Sequence, residues 1–314
     1  MDPLSSFNPN SSLGAFQIGV LVSYALFGVT TTQSCLYYSR FPDDSRGLKT
    51  LVAFVWFCEF AHAVCIGHGL YTYTISNYGN PQRLAGALPK SLATAVLFAG
   101  IIAASVQGFF TFRIYAFSKQ VYIPLFISVM VFVRLLAGLA VFVTALKMSS
   151  LAQTEAQCRW LLPGTWAVSS VNDLTITATL VVVLFKERTH VVHTRTAALV
   201  DKLIAWTIET GMLTSISGIF TLACYFTMKD NFVWLAVFMI TARLFANNIL
   251  ASLNSRATLR AMAQATMTRP SLTPATELVF TGTDMQTSKI TQMTYDHDDG
   301  SYGGPDNEAA PEAV

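Results

Sequence analysis

The sequence has few charged residues, since Asp, Glu, Lys and Arg together make up only 12% of its 314 residues. A soluble domain carries about 25% charged residues. Hydrophobic residues make up 53% of the chain, and they gather in runs long enough to cross a bilayer, which takes about 20 apolar residues. The low charge excludes an ordinary soluble domain and indicates an integral membrane protein. No cluster of Lys and Arg is dense enough to predict a nucleic-acid partner.

Cysteines that could pair between loops are also lacking. Of the five cysteines, only Cys158 lies in a predicted loop, so the sequence predicts no disulfide framework. The first 13 residues contain no Lys or Arg, whereas a cleaved signal peptide begins with a basic segment. We therefore expect the first apolar span to insert as an uncleaved anchor.

Seven apolar runs predict an all-α fold, a seven-helix transmembrane bundle that occupies residues 14–256. The links between the runs are short, so spans that follow one another should be antiparallel neighbours. The predicted spans are Gly14–Tyr38, Leu48–Ile75, Ser91–Phe117, Val121–Lys147, Gly164–Lys186, Val200–Met228 and Asn231–Asn254.

The loops differ in positive charge. Most of the loop Lys and Arg residues lie on the side that holds the C-terminus, and cytosolic loops carry this excess. The sequence thus predicts a short extracellular segment at residues 1–13, with a glycosylation sequon at Asn10, and a cytosolic C-terminus. Residues 257–314 are rich in Ser and Thr and then acidic, which predicts a disordered cytosolic tail, either simply solvated or regulated by phosphorylation.

Several motifs recur at defined places in the spans. They are Phe41-Pro42 with Leu48-Lys49, Val55-Trp56 with Glu59 and His62, Val106-Gln107 with Arg113, Thr207-x-Glu209-Thr210-Gly211, and Asn247-Asn248 with Ala251-Ser252-Leu253-Asn254. Together they resemble a basidiomycete family of seven-helix membrane proteins that is known only as a domain of unknown function. The resemblance extends over residues 14–256 and is centred on the last three spans. It implies a fungal source and a membrane location, but no activity, substrate or catalytic residue.

The well-known seven-helix functions leave specific marks that are missing here. The common G-protein-coupled receptors place an acidic residue before the Arg-Tyr pair of span three, where this chain has Phe112. A retinal protein needs a lysine inside span seven, and Arg243 lies there instead. A metalloenzyme needs several converging ligands, but the spans hold only His62 and His68. Glu59 and His62, three residues apart, share a helix face and are better explained as a hydrogen-bonded structural pair.

Polar residues lie at matching depth in the spans, where a charged side chain is costly and usually faces the bundle interior. We interpret them either as pairs that fix helix register or as the lining of a polar cavity. Arg243 is predicted to pair with Glu209 of the preceding span, with Asp173 as the competing partner, through a face that it shares with Asn247 and Asn254. The candidate ligand-binding or polar-core residues are Glu59, His62, Gln107, Arg134, Asp173, Glu209, Arg243 and Asn247.

These features favour a receptor-like or sensory membrane protein over a small-solute or proton-coupled transporter, and over an enzyme. We expect no catalytic residue, metal or cofactor, and as partners the lipid bilayer, a small ligand and a cytosolic protein that contacts the cytosolic loops and tail. The plasma membrane is the expected location. A receptor should have an outward-facing pocket, whereas a transporter should have a cavity that opens alternately to both faces.

Overall fold

The computed structural model describes residues 13–78, 88–148, 153, 156–190, 194–228 and 231–267. The described residues form seven long helices and no β-strand. Each helix is long and apolar enough to cross a membrane, so the protein is a multi-pass membrane protein with the predicted fold. The helices are α1 Ala15–Arg40, α2 Arg46–Tyr71, α3 Lys90–Ser118, α4 Tyr122–Lys147, α5 Leu161–His190, α6 Thr194–Thr227 and α7 Val233–Met267.

The helix ends follow local sequence signals. Ser45 caps α2, because its hydroxyl accepts a hydrogen bond from the Leu48 amide. Pro124 lies in the first turn of α4, where a proline costs little. Lys119, at a left-handed φ of 53°, ends α3. At its other end α2 continues as a short π-helix, Thr72–Ser76.

Several helices extend beyond the predicted spans; α5, for example, covers Leu161–His190 where the sequence predicted Gly164–Lys186. α7 continues past the predicted span end at Asn254 to Met267, and so includes residues that the sequence assigned to a disordered tail. This segment is rich in alanine and contains no glycine or proline, so nothing in it breaks the helix. α6 begins at Thr194, before the predicted start at Val200. Asn10 and the tail beyond Met267 lie outside the described residues.

The helices form a ring in which each packs on its neighbours in sequence and α7 closes against α1. α3 and α7 are the central helices, since α3 also packs on α5 and α7, and α7 also packs on α2. α4 is the most peripheral: its buried residues are only Pro124, Ile127, Val141 and Ala145. Most of its apolar side chains therefore face outward, where lipid replaces water as the solvent.

Small residues set the closest helix contacts. A Cβ atom added to Gly211 of α6 would collide with the Thr177 side chain of α5. One added to Gly19 of α1 would lie 2.7 Å from the Cα atom of Ala236 in α7. Close approach through small residues is typical of helix packing in membranes. Gly211 therefore allows α5 and α6 to approach each other closely.

The buried apolar side chains form two clusters, one toward each end of the bundle. The outer apolar cluster is at the end where α2 ends and α3 begins, which we call the predicted outer end; it includes Phe16, Ile66, Trp166 and Met239. The inner apolar cluster lies toward the opposite, predicted cytosolic end. It includes Tyr37, Cys58, Ile102, Ile176 and Phe245.

Candidate functional site

Several polar candidates lie where α2 and α7 pass from one apolar cluster to the other. On α2, Glu59 and His62 come between Cys58 of the inner cluster and Ile66 of the outer one. On α7, Arg243 comes between Met239 and Phe245. The structure divides these candidates into two separate groups rather than one continuous layer.

The first group, the Glu59–Arg243 cluster, joins α1, α2 and α7. Arg243 and Glu59 form an ion pair through Nη1 and Oε2, and both side chains are 0% exposed. Arg243 Nη1 also donates to the Glu59 carbonyl oxygen at 2.8 Å, and Nε donates to Ser23 Oγ of α1 at 2.8 Å. The guanidinium carbon lies 5.2 Å from the centre of the Phe27 ring. A buried charge needs this degree of compensation. Because its partners lie on α1 and α2, Arg243 links both helices to α7.

Some polar atoms of this cluster have no hydrogen-bond partner within the described part of the chain. They are Glu59 Oε1, Arg243 Nη2 and both ring nitrogens of the fully buried His62. The hydrogen-bonded pair that the sequence predicted for Glu59 and His62 is therefore wrong. Glu59 and His62 are both buried on one face of α2, as their spacing indicated. The carboxylate of Glu59 nevertheless pairs with Arg243, which is the stronger partner because it carries a full positive charge.

Asn247 lies one turn after Arg243 and is half-buried. Its Nδ2 atom donates to the Leu26 carbonyl at 3.3 Å and to the Arg243 carbonyl at 2.9 Å. Asn254 Nδ2 likewise donates to the Gln33 carbonyl of α1 at 2.9 Å. The predicted common face of Arg243, Asn247 and Asn254 therefore exists, but it turns toward α1 and not toward α6.

Glu209 does not belong to either group. It is exposed on the outside of α6, so the predicted Arg243–Glu209 pair is wrong, as is Asp173 as the alternative partner. The prediction assumed that α6, the neighbour in sequence, supplies the acid. In the bundle α7 also packs on α1 and α2, and these helices meet the face of α7 that bears the arginine.

The second group, the Gln107–Asp173–Arg134 cluster, joins α3, α5 and α4. Gln107 Nε2 donates to Asp173 Oδ1 at 2.7 Å, and Arg134 Nη1 is 3.4 Å from Gln107 Oε1. The guanidinium carbon of Arg134 lies 6.0 Å from the centre of the Phe245 ring. Among the described residues no carboxylate oxygen lies within 4.0 Å of Arg134. Unlike Arg243, this arginine is not in an ion pair.

A cavity of about 80 Å³ lies at the predicted outer end, directly above Arg134. Most of its wall is apolar, and among the described residues Arg134 is the only charged one that lines it. Side chains from α3, α4, α5 and α7, and from the end of α2, surround it. They include Tyr73, Leu92, Gly138, Phe142, Thr165, Trp166, Trp234 and Phe238.

Two smaller cavities, each of about 20 Å³, continue deeper into the bundle. The first shares Arg134, Trp166 and Phe238 with the larger cavity. The second shares Asp173 and Thr214 with the first, and its wall also includes Gln107. The three spaces therefore follow one another from the predicted outer end past the second polar cluster.

At the predicted cytosolic end, Asp44 in the link between α1 and α2 connects α1 and α7. Its carboxylate accepts hydrogen bonds from Arg256 at 2.5 and 3.3 Å and from the Tyr37 hydroxyl at 3.0 Å. The Arg256 guanidinium also lies over the Phe41 ring, 4.4 Å from its centre. The hydrogen bonds from Arg256 lower the pKa of Asp44 below its usual value.

The sequence did not predict several of these contacts. Ser23, which accepts a hydrogen bond from Arg243, is buried, but the sequence does not mark an uncharged polar residue in a span as buried. A useful signal was the aromatic spacing at the start of α7, where Trp234 and Phe238 are one turn apart and so share a face.

Comparisons with known proteins give one match. No curated protein and no solved structure is similar to the chain. The model of a family of unknown function, DUF6534, matches residues 169–258. This segment begins within α5 and contains all of α6 and most of α7, which agrees with the last three spans as the centre of the resemblance. The chain is therefore similar, over its last three membrane-spanning helices, to a family of unknown function.

Proposed function

We propose that the protein is a receptor-like membrane protein that binds a small, largely apolar ligand in the cavity above Arg134 and carries out no enzymatic chemistry. The observation that supports this proposal is the cavity itself. Ligand sites are concave, mostly apolar and aromatic, and contain few polar groups to orient the ligand. The described wall of the cavity has this composition, with Trp166 and Trp234 among its lining residues and Arg134 at its inner end.

The position of the cavity favours a receptor over a transporter. It lies at the predicted outer end, and the inner apolar cluster and the Asp44–Arg256 ion pair lie between it and the predicted cytosolic end. A ligand would reach the site from one side only. The orientation inferred from the loop charges makes that the extracellular side, and we place the protein in the plasma membrane on the same ground.

A proton-coupled transporter is the second candidate. It is favoured by the two smaller cavities, which border Arg134, Asp173 and Gln107 and extend the space beyond the middle of the bundle. Ionisable residues in such positions often belong to transport pathways. A transporter would move its substrate across the membrane of a sealed vesicle, whereas a receptor would only bind it.

A receptor also needs a surface for a cytosolic partner. Arg40, Arg46, Lys119 and Arg260 are exposed at the predicted cytosolic end. This positive surface suits an acidic protein partner, because complementary charge accelerates and orients association.

The ligand site can be tested by filling the cavity. Gly138 lies in its wall, and a Cβ atom added there meets nothing within 4 Å, so Gly138→Phe should occupy the cavity without a backbone clash. Gly108→Phe is the matched control, because Gly108 is exposed on α3 and also has open space around it. Decanol and decanoic acid with bromine at the chain end serve as probes, since bromine quenches tryptophan fluorescence on contact.

The measurement uses protein in lipid nanodiscs with Trp56, Trp160 and Trp206 replaced by Phe, so that only Trp166 and Trp234 fluoresce. Both are largely buried, at 7% and 8% exposure, and so are protected from probe dissolved in the bilayer. At least one probe should quench the parent protein and the Gly108→Phe variant strongly and the Gly138→Phe variant weakly. Equal quenching in all three proteins would refute the ligand site.

A further inference from the structure

We propose that the ligand is a free amphiphile with one carboxylate, which Arg134 binds near the middle of the membrane while the apolar chain extends toward the predicted outer end. This inference rests on the proposed function and adds the chemical class of the ligand. It comes from the position of Arg134, from its partners and from the apolar wall above it.

Arg134 lies near the midpoint of α4, Tyr122–Lys147. At 1.5 Å per residue it is about 18–20 Å from either end of that helix. The rest of α4 is strongly apolar, and no other residue between Tyr122 and Ala145 is charged. An arginine at this depth is costly unless something compensates its charge. Its side chain borders both the large cavity and the first small one, so a ligand can reach it.

Most of the hydrogen-bond donors of Arg134 are not used by other described residues. Within the described residues it donates one hydrogen bond, at 3.4 Å, to Gln107 Oε1. Asp173, the nearest acid in the cluster, is engaged instead by the amide of Gln107 at 2.7 Å. A guanidinium has five N–H donors in a planar fork that fits a carboxylate through two parallel hydrogen bonds. Arg243 is in direct contact with the carboxylate of Glu59, whereas Asp173 interacts with Arg134 only from beyond 4.0 Å, so within the described residues no carboxylate occupies the Arg134 fork.

The cavity wall indicates what the rest of the ligand is. Above Arg134 it consists of Leu92, Val141, Phe142, Trp234 and other apolar side chains, with Thr165 as one of few polar exceptions. Each methylene group of an alkyl chain that is removed from water there favours binding. The ligand therefore combines a hydrocarbon body with a single negative charge at one end.

The orientation separates a free amphiphile from a membrane phospholipid. A phospholipid keeps its head group at the membrane surface and its chains in the interior. In this site the acidic group lies in the interior and the chain points toward the surface. The phosphate of a bilayer lipid cannot reach Arg134 without crossing about half of the hydrocarbon core, which is about 15 Å.

The experiment compares three probes of equal chain length, decanoic acid, decanol and decyltrimethylammonium, in the nanodisc assay described above. Each competes with the brominated probe on the parent protein, on Arg134→Met and on Arg134→Lys. Arg113→Met is the matched control, because Arg113 lies nearer the predicted cytosolic end of α3, where it donates to Ser252. Decanoic acid should bind the parent protein most tightly and the ammonium probe least tightly.

Arg134→Met should weaken decanoic acid about ten- to one-hundred-fold, which corresponds to the loss of a charged hydrogen-bond pair, and should leave decanol unchanged. Arg134→Lys should retain part of the affinity, because it keeps the charge without the planar fork. Arg113→Met should bind like the parent. If Arg134→Met does not fold, the order of the three probes on the parent protein still decides the proposal.

The other outcomes have different meanings. Equal binding of acid and alcohol, both prevented by Gly138→Phe, would overturn the acidic ligand while the ligand site stands. Failure of every probe to bind would refute the ligand site itself. Competition by dioleoyl phosphatidic acid in the nanodisc, lost in Arg134→Met, would assign the site to a membrane lipid and overturn the free amphiphile.

Discussion

Arg243 of α7 and Glu59 of α2 form an ion pair in which both side chains are fully buried in the bundle. The same guanidinium donates to Ser23 of α1, so one side chain connects the last helix of the bundle to the first two. Arg134, the other arginine at this depth, interacts with Asp173 only from beyond 4.0 Å and forms no direct ion pair among the described residues. This contrast assigns a structural role to the first arginine and leaves the second available for a ligand.

Breaking the buried pair should destabilise the bundle. We expect Arg243→Met and Glu59→Gln each to cost about 3–5 kcal/mol, because either change strands the other group without its partner, and the double variant to recover part of the loss. Melting temperatures in detergent measure this double-mutant cycle. Glu209→Gln is the control: it makes the same change at an exposed carboxyl and should shift the melting temperature little. Additive losses in the cycle would contradict the pairing.

The Asp44–Arg256 pair should make stability depend on pH. The pKa of Asp44 is lowered in the folded protein, so the pair stabilises the fold at pH values above the unfolded pKa and loses this effect as pH falls through the folded pKa. Asp44→Asn should therefore lower stability by about 1 kcal/mol near neutral pH, and the difference should vanish in acid. Melting curves against pH test this, with Asp43→Asn as the exposed neighbouring control. A difference that persists in strong acid would speak against the electrostatic origin.

Gly211 should tolerate no larger residue, because its added Cβ atom would collide with Thr177. We expect Gly211→Ala to destabilise the α5–α6 contact by about 1–3 kcal/mol, the usual cost of overpacking. Gly108→Ala, at a position with open space, should leave the melting temperature unchanged. Thr177→Gly should rescue Gly211→Ala in the double variant. A neutral Gly211→Ala protein would show that α5 and α6 are not in close contact there.

The orientation of the chain is a separate prediction from the excess of Lys and Arg in the loops on the C-terminal side. An epitope tag placed after Val314 should bind antibody only after cells are permeabilised. A tag placed before Met1 should be accessible in intact cells. Labelling of the C-terminal tag in intact cells would reverse the orientation and place the cavity above Arg134 on the cytosolic side.

The sequence by itself determined the seven helices and most of their bounds. The predicted span Val121–Lys147 differs from α4 by one residue at its start. This accuracy has a physical cause: a bilayer requires a run of about 20 apolar residues and full backbone hydrogen bonding within it, which leaves the helix as the solution. The cost of a buried charge likewise predicted that Glu59 and Arg243 face the interior. The same argument failed for Glu209, which is exposed on α6.

Only the tertiary structure decided which helices meet and which side chains pair. In a soluble protein an apolar stripe marks the buried face of a helix. Lipid is as apolar as the protein core, so a membrane-spanning helix is hydrophobic on all sides. The pattern of apolar residues therefore does not show which face of the helix turns toward the bundle interior. Arg243 could therefore be placed at the right depth, yet its partner lies on α2 rather than on α6. The cavity above Arg134 depends on the packing of four helices and the end of a fifth, and no single span contains it.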